Sequence, residues 1–200
     1  MLERLGIPLV VAASQADETV HSGERPGEYL ARVVEEKLSR ARRSSFDPST
    51  PLVQRAAAVL VADTIVVVDE RILGKPSDDT ESAEMLSSLA GRSHHVMSRY
   101  AIGYGDRAGA PLAHKLDRTV VTTVTMRALN REEVTRYVRT GEGRDKAGAY
   151  AIQGLASYFV TEISGSYTNV VGLPLSHVIE DLQRSGCLGP LPVTPIRDAP

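Results

Sequence analysis

The sequence predicts an α/β protein in which helices flank an elongated mixed sheet, and two observations carry that prediction. Apolar runs rich in β-branched residues, such as VLVADTIVVV and TVVTTVTM, are typical of strands. Elsewhere, apolar residues recur at helical spacing, as in Tyr29, Val33 and Leu38. Because strands and helices intermix without an internal repeat, we predict one domain over residues 1–186, followed by a Pro-rich tail at 187–200.

The first half of the chain divides into five predicted elements. Residues 10–13 predict a short strand, and the next helix begins near Pro26, which suits a first helical turn. Residues 44–54 contain two prolines and predict an exposed connector. The runs AAAVLVADTIVVVD and RILGKP then predict two strands around a tight turn at Asp69 and Glu70.

The second half adds three helices and three strands. A helix is predicted between Pro76 and Gly91, and the segments HHVMSRYAIG and TVVTTVTMRAL predict strands that pair across GDRAGAP. Asn130 and Glu133 have the spacing of a capping box at the start of the next helix. The run ASYFVTEIS predicts a further strand, and Pro174 is suited to open the last helix.

Composition excludes several classes of protein. The formal charge of −2 offers no bulk attraction to nucleic acid, so no nucleic-acid partner is expected. No apolar run approaches the ~20 residues of a membrane-spanning helix, and the N-terminus does not resemble a signal peptide. We therefore expect no membrane partner and a cytoplasmic location. Because Cys187 is the only cysteine, an intrachain disulfide is impossible.

Asp63 is the first candidate for catalysis. A carboxylate inside an apolar strand is costly to bury unless it binds a metal or receives hydrogen bonds. Asp17 and Glu18 could add oxygen ligands, which Mg²⁺ prefers. A strand-end acid stabilised by Thr64 or by backbone donors explains Asp63 equally well, and adjacent acids in a polar loop are usually just solvated.

Other candidates could recognise a charged or planar ligand. Lys37, Lys75 and Lys146 could together offset the charge of a polyphosphate, although each alone is typical of a surface. The segment KAGAYAIQG has glycines that permit close approach of the backbone, and Gln153 can both donate and accept hydrogen bonds. It is not a Walker loop, and a purely structural turn is the alternative.

Several segments in order resemble the Maf family: ERLGIP, GEYLARVVEEK, VADTIVVVDERILGKP, MLSSLAGRSHHVM, DKAGAYAIQG and GSYTNVVGLPL. The resemblance implies an inosine-triphosphatase-like fold with two lobes around a cleft. It also implies a hydrolase that uses a divalent cation, Mg²⁺ or Mn²⁺, to split a nucleoside triphosphate into the monophosphate and pyrophosphate.

The site residues of the family can be assigned to the positions of this sequence that match its motifs. The resemblance implies that Asp63 is catalytic and holds the metal together with Glu18. It also implies that Glu18, Lys37, Lys75 and Gln153 bind the substrate. The form AYAIQG, with Gln153, resembles the branch that acts on dTTP and UTP, whereas the branch that acts on 7-methyl-GTP has Glu there.

Relative to that family, the sequence begins within a helix that follows a strand and a Ser-Pro-Arg-Arg turn. We expect the phosphate contacts of that turn to be missing from these residues. Two interpretations therefore stay open beside the enzyme: a non-catalytic nucleotide-binding or cell-division-regulating protein, and a natural chain that begins upstream. A homodimer also stays open, since family members are commonly dimeric.

Overall fold

The computed structural model describes residues 1–12, 16–44, 57–106 and 111–191. Its strands are β1 (Ala58–Val68), β2 (Arg71–Leu73), β3 (Ser93–Tyr104), β4 (His114–Met126) and β5 (Val160–Ser164). They form one sheet in the order β2-β1-β3-β4-β5. The predicted α/β class is confirmed. Where we expected a mixed sheet, all four pairs of described strands are antiparallel.

Five α-helices surround this sheet in the described residues: α1 (Pro26–Ser44), α2 (Asp79–Leu89), α3 (Arg131–Thr140), α4 (Tyr167–Val171) and α5 (Leu175–Arg184). The predicted capping box is present, because the Asn130 side chain accepts from the Glu133 amide and the Glu133 carboxylate accepts from the Asn130 amide. Gly141 ends α3 in the left-handed conformation that glycine adopts without strain. Local sequence signals therefore set both ends of α3.

Strand β1 is buried on both faces over residues 65–68, which explains the uninterrupted apolar sequence there. Ile65 and Val67 pack against α1. Their neighbours Val66 and Val68 belong to the core that includes α2 and α3. Because side chains alternate along a strand, Asp63 lies on the α1 side with Ile65 and Val67. The sequence thus places a carboxylate beneath a helix.

The predicted tight turn joins β1 to β2. Asp69 and Glu70 have φ values of 49° and 61°, the left-handed pair that a two-residue hairpin turn of type I′ requires. Strand β2 is short and pairs only with residues 66–68 of β1. The hairpin therefore places Gly74 and Lys75, which follow β2, beside the middle of β1.

Three predictions differ from the structure. Residues 10–12 form no strand, and Val10 and Val11 are 58% and 83% exposed because no described strand pairs with them; residue 13 lies outside the described residues. The strand predicted from ASYFVTEIS begins only at Val160, since Leu155–Phe159 is a 3-10 helix. Helix α4 was not predicted. Residues 45–54 of the predicted connector also lie outside the described ranges.

The described helices include none with both the length and the apolar sequence needed to cross a membrane. The longest, α1, spans 19 residues, but it carries charged side chains along its outer side, among them Arg32, Glu36 and Arg40.

Candidate functional site

A cleft of about 690 Å³ opens beside the middle of β1. One wall carries Glu18 and Asp63, and the opposite wall carries Lys146, Tyr150 and Gln153. A depression of about 610 Å³ on the outer side of α1 is lined, among the residues that the structure describes, by Arg32, Glu35, Glu36, Ser39 and Arg40 of that helix. Because no described residue opposes α1 there, that depression is the weaker candidate site.

Asp63 makes a buried ion pair with Lys37 of α1. The Lys37 Nζ donates to Asp63 Oδ1 at 2.7 Å, and the two side chains are only 11% and 12% exposed. Thr64 lies on the other side of the strand, where its hydroxyl contacts Ser98 and the Gly172 carbonyl. The stabilising partner of Asp63 is therefore a lysine 26 residues away and not its neighbour.

Glu18 joins this pair from the segment that precedes α1. Its Oε1 lies 2.8 Å from Lys37 Nζ, and its Oε2 lies 3.5 Å from Lys75 Nζ. The Tyr29 hydroxyl donates to the Glu18 carbonyl, and Arg32 donates to two further carbonyls of this segment. Helix α1 thus holds the backbone of Glu18 as well as supplying its cation.

The surroundings of the two carboxylates shift their pKa values in opposite directions. Burial raises the pKa of Asp63, and the hydrogen bond from Lys37 offsets this only in part. The hydrogen bond from Lys37 is the main cause that lowers the pKa of Glu18. Burial alone would lower the pKa of Lys37, but hydrogen bonds to Asp63 and Glu18 outweigh it and raise that pKa. The pKa of Asp63 is therefore shifted upward and that of Glu18 downward, so burial makes Asp63 a better proton acceptor than an exposed aspartate.

The other residues predicted for the site take different positions. Lys75 lines the cleft with a side chain that is 62% exposed and makes only a long contact to Glu18. Lys146 lines it too and pairs with Asp145 at 2.8 Å. Gln153 is exposed on the opposite wall. Asp17 does not join the site, because its carboxylate accepts from the amide of Thr19.

Lys37 lies at a different depth from Lys75 and Lys146, which line the cleft. It lies behind Glu18 and Asp63 and is not part of the described cleft lining. The structure thus connects Lys37 to the two carboxylates that flank it, and through them to the cleft.

Sequence reasoning missed the hydrogen bond that supports the opposite wall. His94 is 2% exposed, and its Nε2 lies 2.9 Å from the hydroxyl of Tyr150, which lines the cleft. Burial lowers the pKa of His94 to about 4, so the imidazole is neutral near pH 7. The two residues are 56 positions apart, and no spacing rule connects them.

Glu18 and Asp63 are suited to hold a divalent cation. Both carboxylates converge on one point, Lys37 Nζ, and both line the cleft. No cluster of three or more His, Cys, Asp or Glu occurs in the ranges that the structure describes. Mg²⁺ commonly uses one or two carboxylates and takes its remaining ligands from water and substrate phosphates. The donor set therefore fits a cation that arrives with a phosphorylated substrate.

Comparison with known proteins decides the family. The family profile described as Maf-like protein matches residues 1–185. The chain belongs to the Maf family. The resemblance seen in the motifs is thereby confirmed, and the Maf profile covers both walls of the cleft.

Three curated relatives to which this Maf protein is similar share one name. A dTTP/UTP pyrophosphatase of Geobacter sulfurreducens is 42% identical over 189 residues, which is 94% of this chain and 91% of that protein. Another of Symbiobacterium thermophilum is 42% identical over 186 residues, 93% of this chain and 88% of the relative. A third, of Geobacter metallireducens, is 43% identical over 189 residues, 94% and 91% of the two chains.

Proposed function

We propose that this Maf protein is a nucleoside triphosphate pyrophosphatase that hydrolyses dTTP or UTP to the nucleoside monophosphate and pyrophosphate. The observation that carries the proposal is the buried ion pair of Asp63 and Lys37 at the edge of the cleft, with Glu18 beside it. Relatives that are 42% identical over almost the whole chain are named dTTP/UTP pyrophosphatases.

Asp63 is proposed as the base that accepts a proton from the attacking water. Its pKa is raised by burial, which makes its carboxylate a stronger proton acceptor than an exposed aspartate. The water oxygen bonds to the α-phosphorus, the bond between that phosphorus and the oxygen that bridges to the β-phosphate breaks, and pyrophosphate leaves with the bridging oxygen. Lys37 holds the carboxylate in place, because its ammonium is fixed by Asp63 and Glu18 together.

The negative charge of the triphosphate is proposed to be met by Lys75 and by a divalent cation. Lys75 is exposed in the cleft, so its ammonium can turn from Glu18 to a phosphate oxygen at small energetic cost. Glu18 and Asp63 would hold Mg²⁺ or Mn²⁺, which when bound neutralises phosphate charge and stabilises the leaving pyrophosphate. Lys146 would first have to leave Asp145.

Gln153 is proposed to bind the nucleobase at the opposite wall. Its amide offers one donor and one acceptor side, which match the alternating carbonyl and N–H groups of thymine or uracil. Tyr150 lines the same wall as a largely buried side chain that supports it from behind. A pyrimidine can thus be recognised without any charged side chain.

Two further expectations accompany this function. The cytoplasm is proposed as its location, since nucleoside triphosphates are abundant there and the sole cysteine rules out an intrachain disulfide. A homodimer stays a prediction, for which β5 at the edge of the sheet offers one surface.

A nucleotide screen tests the proposal. Purified protein with Mg²⁺ or Mn²⁺ is incubated with dTTP, UTP, dCTP, dGTP and 7-methyl-GTP, and products are separated by chromatography. We expect dTMP or UMP with an equal amount of pyrophosphate. Asp63→Asn should lower this turnover about 100-fold or more. Asp69→Asn is the matched control, because Asp69 lies in the exposed β1–β2 turn and Asn tolerates its positive φ.

Release of a diphosphate and inorganic phosphate would contradict the proposal. Binding of dTTP by calorimetry without any product would instead indicate a non-catalytic nucleotide-binding protein. A preference for 7-methyl-GTP would retain the reaction but correct the substrate.

A further inference from the structure

The segment that carries Gln153 packs unusually closely against the two residues that follow Gly141, the C-cap of α3. A Cβ on Gly143 would lie 2.1 Å from the Ala149 carbonyl oxygen, and a Cβ on Gly154 would lie 1.9 Å from Glu142 Oε1. Real Cβ atoms do not come so close, so only glycine fits at position 143, where the neighbour is backbone, and a larger residue at position 154 would displace the Glu142 carboxylate. These contacts press residues 142–143 against residues 149–154.

Glu142 ties both ends of the turn that contains Gln153. Its carboxylate accepts from the Leu155 amide at 2.8 Å and from the Ala156 amide at 3.3 Å. It also accepts from the Tyr137 hydroxyl at 2.8 Å, and that hydroxyl accepts from the Ala151 amide at 3.1 Å. Continuous hydrogen bonds thus run from the start of the turn through Tyr137 and Glu142 to its end.

The charge on Glu142 strengthens this connection. Burial acts to raise the pKa of Glu142, but the hydrogen bonds from Leu155, Tyr137 and Ala156 outweigh it and lower the pKa. The carboxylate is therefore ionised near pH 7, and hydrogen bonds to an ionised acceptor are about twice as strong as neutral ones. Glu142 itself is not part of the described cleft lining, so any effect on substrate passes through the turn.

We propose that Glu142 is a positioning residue that fixes the base-binding turn at residues 151–156 and thereby selects pyrimidine over purine triphosphates. This inference rests on the proposed function, because it takes the turn as the base-binding wall. The position of the turn sets the distance between Gln153 and the residues proposed to hold the triphosphate and its cation, Lys75 and Glu18. A fixed turn admits one ring beyond the sugar, whereas a displaced turn leaves room for two fused rings.

Two variants remove the connection with little change of shape. Glu142→Gln keeps the size of the side chain but replaces one acceptor by a donor, which faces backbone and hydroxyl donors. Tyr137→Phe removes only the hydroxyl and keeps the ring that packs edge-on to Phe159 at 5.2 Å. Glu133→Gln is the matched control, since Glu133 also accepts from a backbone amide near α3 but pairs with Arg127, away from the cleft.

The experiment combines hydrogen exchange, melting and steady-state kinetics with dTTP and dGTP. In Glu142→Gln and Tyr137→Phe, the amides of residues 151–156 should lose protection, and KM for dTTP should rise roughly tenfold while kcat changes little. The preference for dTTP over dGTP should fall roughly tenfold as well. Glu133→Gln should keep the protection, the KM and the preference of the wild type, even if it melts earlier.

Two results would overturn the inference. One is unchanged protection of residues 151–156 in Glu142→Gln, which would show that Glu142 does not hold the turn. The other is an opened turn with wild-type KM and wild-type preference, which would show that the turn does not select the base. If the wild type neither binds nor hydrolyses dTTP, the proposed function is wrong and the inferred base selection is wrong with it. Hydrogen exchange of residues 151–156 still shows in that case whether Glu142 holds the turn.

Discussion

The two walls of the cleft are held together by different physical means. On one wall, Glu18 and Asp63 come from separate segments, and both form ion pairs with Lys37, which lies behind them. On the other wall, residues 141–156 form one continuous segment, which is fixed by hydrogen bonds from its backbone amides to the Glu142 carboxylate and by close glycine contacts. The first wall can exchange partners when a charged ligand arrives, whereas the second is set before binding.

This difference suggests a division of labour. Ion pairs around a cleft can be exchanged for substrate phosphates and a cation, so that wall is suited to the chemistry. A wall whose backbone amides are already hydrogen-bonded within the fold is suited to recognising the shape of a planar base. Substitutions in one wall therefore test whether the function of the other wall depends on it.

The largest effect is expected from Lys37→Met, which keeps the side-chain length but leaves two carboxylates beside each other without their shared cation. The pKa of Asp63, already raised by burial, should rise further, so the acid limb of the kcat/KM profile should shift upward by about one unit or more. Stability at pH 7 should fall by about 3 kcal/mol, as measured by urea unfolding.

The pH dependence of that loss can be checked separately. A carboxyl whose folded pKa exceeds its unfolded value destabilises the fold as pH rises, so the loss should shrink as pH falls through the raised pKa. Lys115→Met, which removes a cation paired with the half-exposed Glu35, is the control. A Lys37→Met profile that coincides with that of the wild type would break the assignment of Asp63 as the base.

A smaller effect is expected from Lys75→Ala, because Lys75 is exposed and its contact to Glu18 is long. KM for dTTP should rise about tenfold or more, as expected for loss of a hydrogen bond to a charged group. Stability should change by less than about 0.5 kcal/mol. An unchanged KM together with lower stability would mean that Lys75 supports the fold and not the triphosphate.

Gln153→Glu tests the opposite wall. A carboxylate should repel the carbonyl oxygens of thymine and favour the donors of a cationic purine, so the kcat/KM ratio of dTTP to 7-methyl-GTP should fall by about tenfold or more. Gln153→Asn, which keeps the amide on a shorter chain, is the comparison. Stability of both variants should equal that of the wild type, since Gln153 is exposed; an unchanged substrate ratio would remove Gln153 from base recognition.

The smallest effect on activity is expected from His94→Gln, which should instead alter stability in acid. The pKa of His94 falls from 6.5 in the unfolded chain to about 4 in the fold, so the unfolded state binds a proton first as pH decreases. Between pH 7 and pH 5 the wild type should lose about 2 kcal/mol through this residue. We expect the free energy of unfolding of the variant, measured in urea at pH 7 and at pH 5, to lack this decrease. An equal decrease in the two proteins would contradict a buried neutral imidazole.

Much of the fold could be predicted because its signals are local. The capping box at Asn130 and the β1–β2 turn at Asp69 and Glu70 are set by neighbouring residues, and both are confirmed. The strand expected at residues 10–13 and the early start expected for β5 were wrong over the residues described, because a short apolar run has the same pattern whether or not a partner strand pairs with it.

The site was predictable only in part for a related reason. Asp63 stands out as a charge in an apolar strand, but the chemistry of Lys37, Lys75 and Gln153 alone made them only weak candidates, and their roles were assigned through the resemblance. His94 and Glu142 were missed because their partners are brought near by the tertiary fold, as in the pair of His94 and Tyr150. Buried hydrogen bonds between distant residues leave no periodic pattern in a sequence.

The most direct test of the division between the two walls is single-turnover kinetics of dTTP and dGTP with Asp63→Asn and Gln153→Ala. The account predicts that Asp63→Asn slows the chemical step about 100-fold or more for both nucleotides and preserves their relative affinities. Gln153→Ala should weaken dTTP binding and its advantage over dGTP, while the rate at saturation stays within about threefold. A variant of Asp63 that changes base preference but not the chemical rate would contradict it.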